Sequence, residues 1–327
     1  MRPPKLAPET REQSVKKCLL AIVGPTAVGK SARALDLAAK LGGEIISADS
    51  RQVYRHMDIG TGKPSTDERA AVRHHLIDVV DPDEEYSLAL FLQQATSAID
   101  KVLARGNLPM LVGGSGQYVW ALLEGWKLSQ IPPYPELREH LEARAADEGH
   151  EALHRELARV DERAAGRTDP RNVRRVVRAL EVVYARREMG LEQDDATSDP
   201  GKEPPPYTTY IVGLSMDRSG LYQRIDDRVD SMIEDGWTDE VRGLLDRGYG
   251  IELPSMSSLG YSQLARVVAG ELSLESAVEE IKHRTHRFAR NQFTWFRTDD
   301  ERIHWSNSSE QWDEAERAAT EWLAANG

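Results

Sequence analysis

The chain has 327 residues, 40% apolar and 29% charged, so it can bury a core and has room for about two domains. One cysteine excludes a disulfide scaffold and a Cys-rich zinc site, 24 Gly and 16 Pro exclude collagen-like sequence, and mean hydropathy of −0.54 excludes an integral membrane protein. With 42 basic against 54 acidic residues the net charge is −12, an average that argues against a nucleic-acid partner.

The first residues, MRPPKLAPETREQSVKK, carry charge and proline and no apolar stretch of the signal-peptide kind. A cytoplasmic protein with an N-terminal extension over 1–17 is expected. CLLAIV (18–23) predicts a buried strand, and SARALDLAAKL predicts a helix stopped by Gly42 and Gly43. EIIS (44–47), HLIDVV (75–80) and LPMLV (108–112) predict further strands. Between the last two, a helix is expected from the cap Ser87 to Gly106. Strands alternating with helices imply an α/β fold: a parallel sheet core flanked by helices.

After Pro132 and Pro133 the texture changes, and residues 136–189 read as helix without strand-like runs. LEQDDATSDPGKEPPP (191–206) is a polar, Pro-rich connector. YTTYIVGLSM (207–216) restores strand character, and EQWDEAERAATEWLAANG predicts an acidic amphipathic helix within 306–327. The expected organisation is a catalytic core over 18–131 and 205–305, interrupted by a mostly helical insertion domain over 132–204.

The phosphate chemistry lies in Gly24-Pro25-Thr26-Ala27-Val28-Gly29-Lys30-Ser31, which satisfies GxxxxGK[ST] between a strand and a helix. Its glycines let backbone N–H groups wrap a phosphate beside the positive helix end; Lys30 adds a charge, and the Ser31 hydroxyl can join a Mg²⁺ shell. Such a P-loop marks a nucleotide-binding type of polyphosphate site without specifying ATP. Ligands of open α/β sheets sit at the carboxyl ends of the strands. The loops at Ala48–Tyr54 and Gly113–Tyr118 should therefore face the phosphate loop. Asp49 suits a general base, a metal ligand or a turn cap, and Ser115 can donate to a phosphate oxygen.

GPTAVGKS, SADSRQVY, MDIGTGKP, HHLIDVVDP followed by YS, LVGGSGQY, DPRNVRRVVRALEV, RIDDRVDSMIEDGW, SLGYSQL and RNQFTWFR occur in this order over about 18–305. Together they resemble the tRNA dimethylallyltransferase (tRNA isopentenyltransferase) family. The resemblance implies transfer of a dimethylallyl group from dimethylallyl diphosphate to the exocyclic amine of the adenosine 3′-adjacent to the anticodon, with Mg²⁺. It implies that Gly24–Ser31 hold the diphosphate with Ser115 and Arg224, and that Asp49 is the base. It places tRNA contacts at Asp49, Ser50, Arg51, Gln52, Ser115, Arg138, Arg174, Arg175, Arg178, Gly260, Tyr261, Gln263, Asn291, Gln292, Trp295 and Arg297. The chain departs from the family pattern at Ser115, where Thr is usual, and at Ser262 and Asn291, where basic residues are usual.

The positive charge is concentrated. Residues 171–187 hold Arg171, Arg174, Arg175, Arg178, Arg186 and Arg187 against Glu181, and the first four fall on one helical face. Residues 282–297 hold Lys282, Arg284, Arg287, Arg290 and Arg297 without an acid, interleaved with aromatics that either stack on bases or anchor the helix. These strips reverse the first inference from net charge and predict docking of RNA; the resemblance implies that this RNA is a tRNA anticodon loop, and the protein is expected to be a monomer. The rival readings are a P-loop kinase or NTPase, a prenyltransferase acting on free adenine nucleotides, and a non-catalytic RNA-binding module. The apolar strand LPMLV ends in Gly113-Gly114 and not in the Mg²⁺-holding acid that the first rival needs.

Overall fold

The computed structural model describes residues 17–128, 131, 134–190, 201–307 and 309–327. The extension before residue 17 and residues 191–200 of the expected connector lie outside the described residues. The chain divides into two compact units, one formed by the segments up to Leu123 and from Pro206 onward, the other by Glu124–Pro205.

In the larger unit, β1 (Lys17–Val23), α1 (Lys30–Leu41), β2 (Gly43–Ser47), α2 (Thr66–Ala71), β3 (His74–His75), α3 (Leu88–Ala104), β4 (Leu108–Gly113) and α4 (Gly116–Leu123) come first. In the smaller unit follow α5 (Pro135–Glu148), α6 (His150–Val160), α7 (Glu162–Arg167) and α8 (Val173–Glu188). The chain returns to the larger unit with β5 (Tyr207–Leu214), α9 (Arg218–Glu234), α10 (Trp237–Asp246), α11 (Tyr261–Val268), α12 (Leu274–Gln292), β6 (Ile303–Ser306) and α13 (Ser309–Asn326).

The sheet is six-stranded and parallel throughout, in the order β3-β2-β4-β1-β5-β6. Parallel strands are covered on both faces, and so both sides of these strands are apolar. Leu20, Ile22, Met110 and Val112 pack with Leu37 and Ala38 of α1 and Trp312 and Ala319 of α13. The alternating residues Leu19, Ala21, Ile46 and Leu111 are equally buried, as are Phe91, Ala95, Ile99 and Val102 of α3. A second cluster gathers Val53, Tyr54 and Met57 with Trp237, Val241, Tyr261, Leu264 and Ile281 from α10, α11 and α12.

Ser87 caps α3 as expected, its hydroxyl accepting the Leu90 N–H. Three expectations change. HLIDVV is not one strand: only His74 and His75 pair with β2, and Val80 makes a single bridge to Tyr54. Leu76 and Asp78 adopt left-handed backbone, φ 63° and 56°, which breaks the ladder. The segment 113–118 is a loop only as far as Ser115, because Gly116 already begins α4. Ile303–Ser306 forms an unforeseen edge strand beside β5, so Ser306 belongs to the sheet and the final helix starts at Ser309.

In the smaller unit, Leu141, Leu153, Leu157, Val176, Val177 and Leu180 form the common core of α5 to α8. This unit begins at Glu124, earlier than the 132–204 expected from the chain.

Candidate active site

The phosphate loop follows β1 directly. Ala27 and Gly29 both have positive φ, 62° and 103°, torsions with which a loop can aim successive backbone N–H groups into one concavity. At Gly24 an added Cβ would lie 2.4 Å from the Leu214 carbonyl oxygen, so no side chain fits between this loop and the end of β5. Lys30 opens α1 and donates from Nζ to the Pro25 carbonyl at 2.7 Å. Its ammonium is surrounded by protein yet faces a cavity. Burial lowers its pKa to about 8, against the opposing pull of Asp49 and with a further lowering from Arg228.

The other two strand-end loops are built onto each other. The Ala48 N–H donates to the Val112 carbonyl at 2.8 Å and the Ser115 N–H to the Ala48 carbonyl at 3.2 Å. Ser115 Oγ accepts the Ser50 N–H at 3.0 Å, and Asp49 Oδ1 accepts the Arg51 N–H at 2.8 Å. Asp49 is thereby held by its own loop, with its second oxygen free of any described hydrogen bond.

Two cavities meet at this carboxylate. One, about 370 Å³, is polar and is lined by Gly29, Lys30, Ser31, Asp49, Arg224 and Arg228 among others. The second, about 290 Å³, is lined by Asp49, Ser50, Arg51 and Ser115 on one side and by Ile225, Val229, Met232, Trp237, Leu259 and Ile281 on the other. Thr26, Ala27, Asp49, Thr61 and Arg228 border both. A charged compartment thus opens onto an apolar one, with a carboxylate at the junction.

Arg224 and Arg228 stand one turn apart on α9, so both reach the same cleft. A Cβ on Gly29 would lie 3.5 Å from Arg224 Nη2, which sets that guanidinium against the phosphate loop. A Cβ on Gly62 would fall 1.9 Å from Arg228 Nη2, so only glycine permits this approach. Burial lowers the Arg228 pKa and Asp49 opposes that shift. Arg228 was not singled out from the sequence; its i,i+4 spacing from Arg224 was the available signal.

The wall facing these arginines is also tied down. Gln52 donates to the carbonyls of Thr61 and Gly62, at 3.4 and 3.1 Å, and accepts from Ser47 Oγ at 2.9 Å. Glu240 of α10 accepts the N–H groups of Asp58, Ile59 and Gly60 at 2.7, 2.7 and 3.2 Å, and the Tyr261 hydroxyl at 2.7 Å.

Residues 52–299 match the family model described as IPP transferase, and residues 17–81 match the one described as isopentenyl transferase. The chain belongs to the IPP transferase family. It is 51% identical over 284 residues to a protein named tRNA dimethylallyltransferase from Thermomicrobium roseum, covering 86% of this chain and 84% of that relative. It is 54% identical over 279 residues to the protein of that name from Roseiflexus castenholzii, covering 85% and 89%. Among solved structures it resembles the full-length tRNA isopentenylpyrophosphate transferase of Bacillus halodurans, with TM-score 0.69, 39% identity and coverage of 95% and 98%. It also resembles a eukaryotic dimethylallyltransferase acting on tRNA, with TM-score 0.76, 27% identity and coverage of 95% and 80%.

This IPP transferase brings Gly29, Lys30, Ser31, Asp49, Ser115 and Arg224 to the two joined cavities. Several residues expected as RNA contacts have other surroundings. Gln292 is buried, its Oε1 accepting the Thr26 N–H at 2.8 Å and its Nε2 donating to the Gly114 carbonyl at 2.9 Å. Tyr261 and Gln263 are buried; the Gln263 amide accepts the Gly260 N–H and donates to Glu280. Gly260 lies where a Cβ would meet the Trp237 ring at 2.0 Å. Tyr261 and Gln292 border the apolar cavity, whereas Gly260 packs on Trp237 and Gln263 is held by Glu280. Trp295 is half-buried against Gly116, whereas Asn291 and Arg297 are exposed, the latter paired with Asp299.

The arginine face of the smaller unit is shorter than expected. Asn172 caps α8 by accepting the Arg175 N–H, so Arg171 precedes the helix and pairs with Asp169 at 2.8 Å. Glu181 is fully buried; it accepts from the Tyr134 N–H and pairs with Arg138 and Arg178 at 3.2 and 2.8 Å. Arg178 also donates to the Ile131 carbonyl. Arg174 and Arg175 are exposed and, among the described residues, their guanidinium groups meet no acid.

Proposed function

We propose that the chain transfers a dimethylallyl group from dimethylallyl diphosphate to the exocyclic amine of an adenosine next to the anticodon of tRNA. The observation that carries this is the junction at Asp49 between a cationic and an apolar compartment. The diphosphate fits the side with the Gly24–Ser31 loop, Lys30, Arg224 and Arg228; the isoprenoid tail and the adenine fit the apolar side.

In the reaction the bond from the dimethylallyl C1 to diphosphate oxygen breaks, a C–N bond to the adenine amine forms, and the amine loses a proton. Diphosphate leaves only if its growing charge is met, and Lys30 with the two arginines meets it with preset positive charge. The adenine amine is a weak nucleophile because its lone pair is delocalised into the ring. Asp49 takes its proton as the bond forms, an effect worth about 10²–10⁴-fold. Ser115 keeps the Asp49 loop in register through the Ser50 N–H.

The donor set suits Mg²⁺, since Ser31 and Asp49 offer hard oxygens beside a diphosphate site and Mg²⁺ is ordinarily held by one or two protein oxygens plus substrate phosphates. Ser31 would hold the ion with the diphosphate oxygens, where it would neutralise the charge of the departing group. For the acceptor, Arg174 and Arg175 of the smaller unit, which meet no acid among the described residues, supply charge for RNA phosphates.

The test is to incubate the protein with unmodified tRNA, Mg²⁺ and dimethylallyl diphosphate, then digest and weigh the nucleosides. A dimethylallyl mass gain on adenosine is expected. No gain, with ATP consumed by the same preparation, would replace this reading with a kinase.

A further inference from the structure

Phe288 is 47% exposed although it lines the apolar cavity together with Asp49, Ser50 and Arg51. Its ring therefore stands at the mouth of that cavity. On α12, positions 284, 287, 288 and 291 are three and four apart and share one face. Arg284, Arg287, Phe288 and Asn291 are all exposed there. Arg284 is engaged by Glu280 at 2.7 Å, but among the described residues Arg287 and the neighbouring exposed Arg290 pair with no acid.

An exposed aromatic ring flanked by unneutralised guanidinium groups is the combination that holds single-stranded nucleic acid: the ring stacks on a base and the cations meet phosphates. We propose that Phe288 is a stacking platform for the base adjoining the adenosine that enters the cavity, with Arg287 on the phosphate between them. This rests on the proposed tRNA acceptor and adds the contact that keeps the loop open. A base that leaves its stack to reach a pocket uncovers the face of its neighbour. A ring at the pocket mouth covers that face again and lowers the cost of extrusion.

The experiment uses the full chain and a tRNA carrying 2-aminopurine next to the target adenosine, with Phe288→Tyr, Phe288→Leu and Phe288→Ala. Stacking predicts that binding quenches 2-aminopurine fluorescence with the unsubstituted protein and with Phe288→Tyr, but not with Phe288→Leu or Phe288→Ala. Those last two should bind tRNA about tenfold more weakly, with KM for dimethylallyl diphosphate unchanged. Arg287→Gln should lower the slope of log K against log salt by about 0.7. Unaltered quenching in all variants would overturn the proposal. So would a Phe288→Leu protein with normal tRNA affinity beside a Phe288→Ala protein with raised donor KM, which would make the ring an apolar plug. Failure of the unsubstituted chain to modify tRNA would instead remove the proposed function, while the quenching, which needs no transfer, still decides the stacking.

Discussion

Gln292 Oε1 accepts the Thr26 backbone N–H at 2.8 Å, joining the last residue of α12 to the phosphate loop across most of the chain. The same amide donates to the Gly114 carbonyl, so one side chain sets the spacing between the phosphate loop and the loop that carries Ser115. Gln292→Met keeps the length and removes both hydrogen bonds. We expect the single-turnover rate constant to fall at least tenfold at full amplitude, with tRNA affinity within about threefold of the parent. A weakened tRNA affinity with an unchanged rate constant would make Gln292 an RNA contact.

Asp49→Asn removes the proposed base and preserves shape. We expect kcat to fall by about 10²–10⁴-fold and the dissociation constant for dimethylallyl diphosphate to change little, read by calorimetry on the variant. Parallel loss of donor binding would show that Asp49 serves the diphosphate and not the amine.

Lys30 has its pKa lowered to about 8, chiefly by burial. In the free protein it loses its proton as pH rises through that value, so kcat/KM for the donor should fall above about pH 8. Stability moves the other way. Between about 8 and the ordinary value of 10.5 the unfolded chain binds more protons at Lys30 than the folded one, so this residue's contribution to stability rises with pH across that window. Lys30→Met should flatten both profiles, checked by a pH–rate series and by urea melts at pH 7.5 and 10.

The arginines of α8 should separate into two kinds. Arg174→Gln with Arg175→Gln should weaken tRNA binding and lower its salt slope by about 1.4, roughly 0.7 per lost contact, without altering the melting temperature. Arg178→Ala should cost about 1–3 kcal/mol of stability by stripping a charged donor from buried Glu181, seen as a lower urea midpoint. Equal behaviour of the three would mean that the Glu181 pairing does not distinguish them.

The parts of the site that require particular residue types were legible in the chain. The phosphate loop needs glycines beside a Lys and a hydroxyl, and the ends of EIIS and LPMLV located Asp49 and Ser115 by the logic of parallel sheets. What escaped depends on backbone torsion or on distant partners. HLIDVV has a strand's composition, and only the left-handed torsions of Leu76 and Asp78 interrupt it. Ile303–Ser306 is too short to show a period. Arg228 sits among acids in RIDDRVDSM, which reads as a solvated helix surface until the fold turns it to the cleft. The acceptor role of Gln292 depends on Thr26, and no local pattern encodes that separation.

The cradle around Glu240 has one more consequence. Three consecutive N–H groups at Asp58, Ile59 and Gly60 form a receptor for an anion, and the protein fills it with its own carboxylate. A polyanion that strays onto this wall finds the receptor taken. The wall therefore presents no second anion receptor beside the loop after β1.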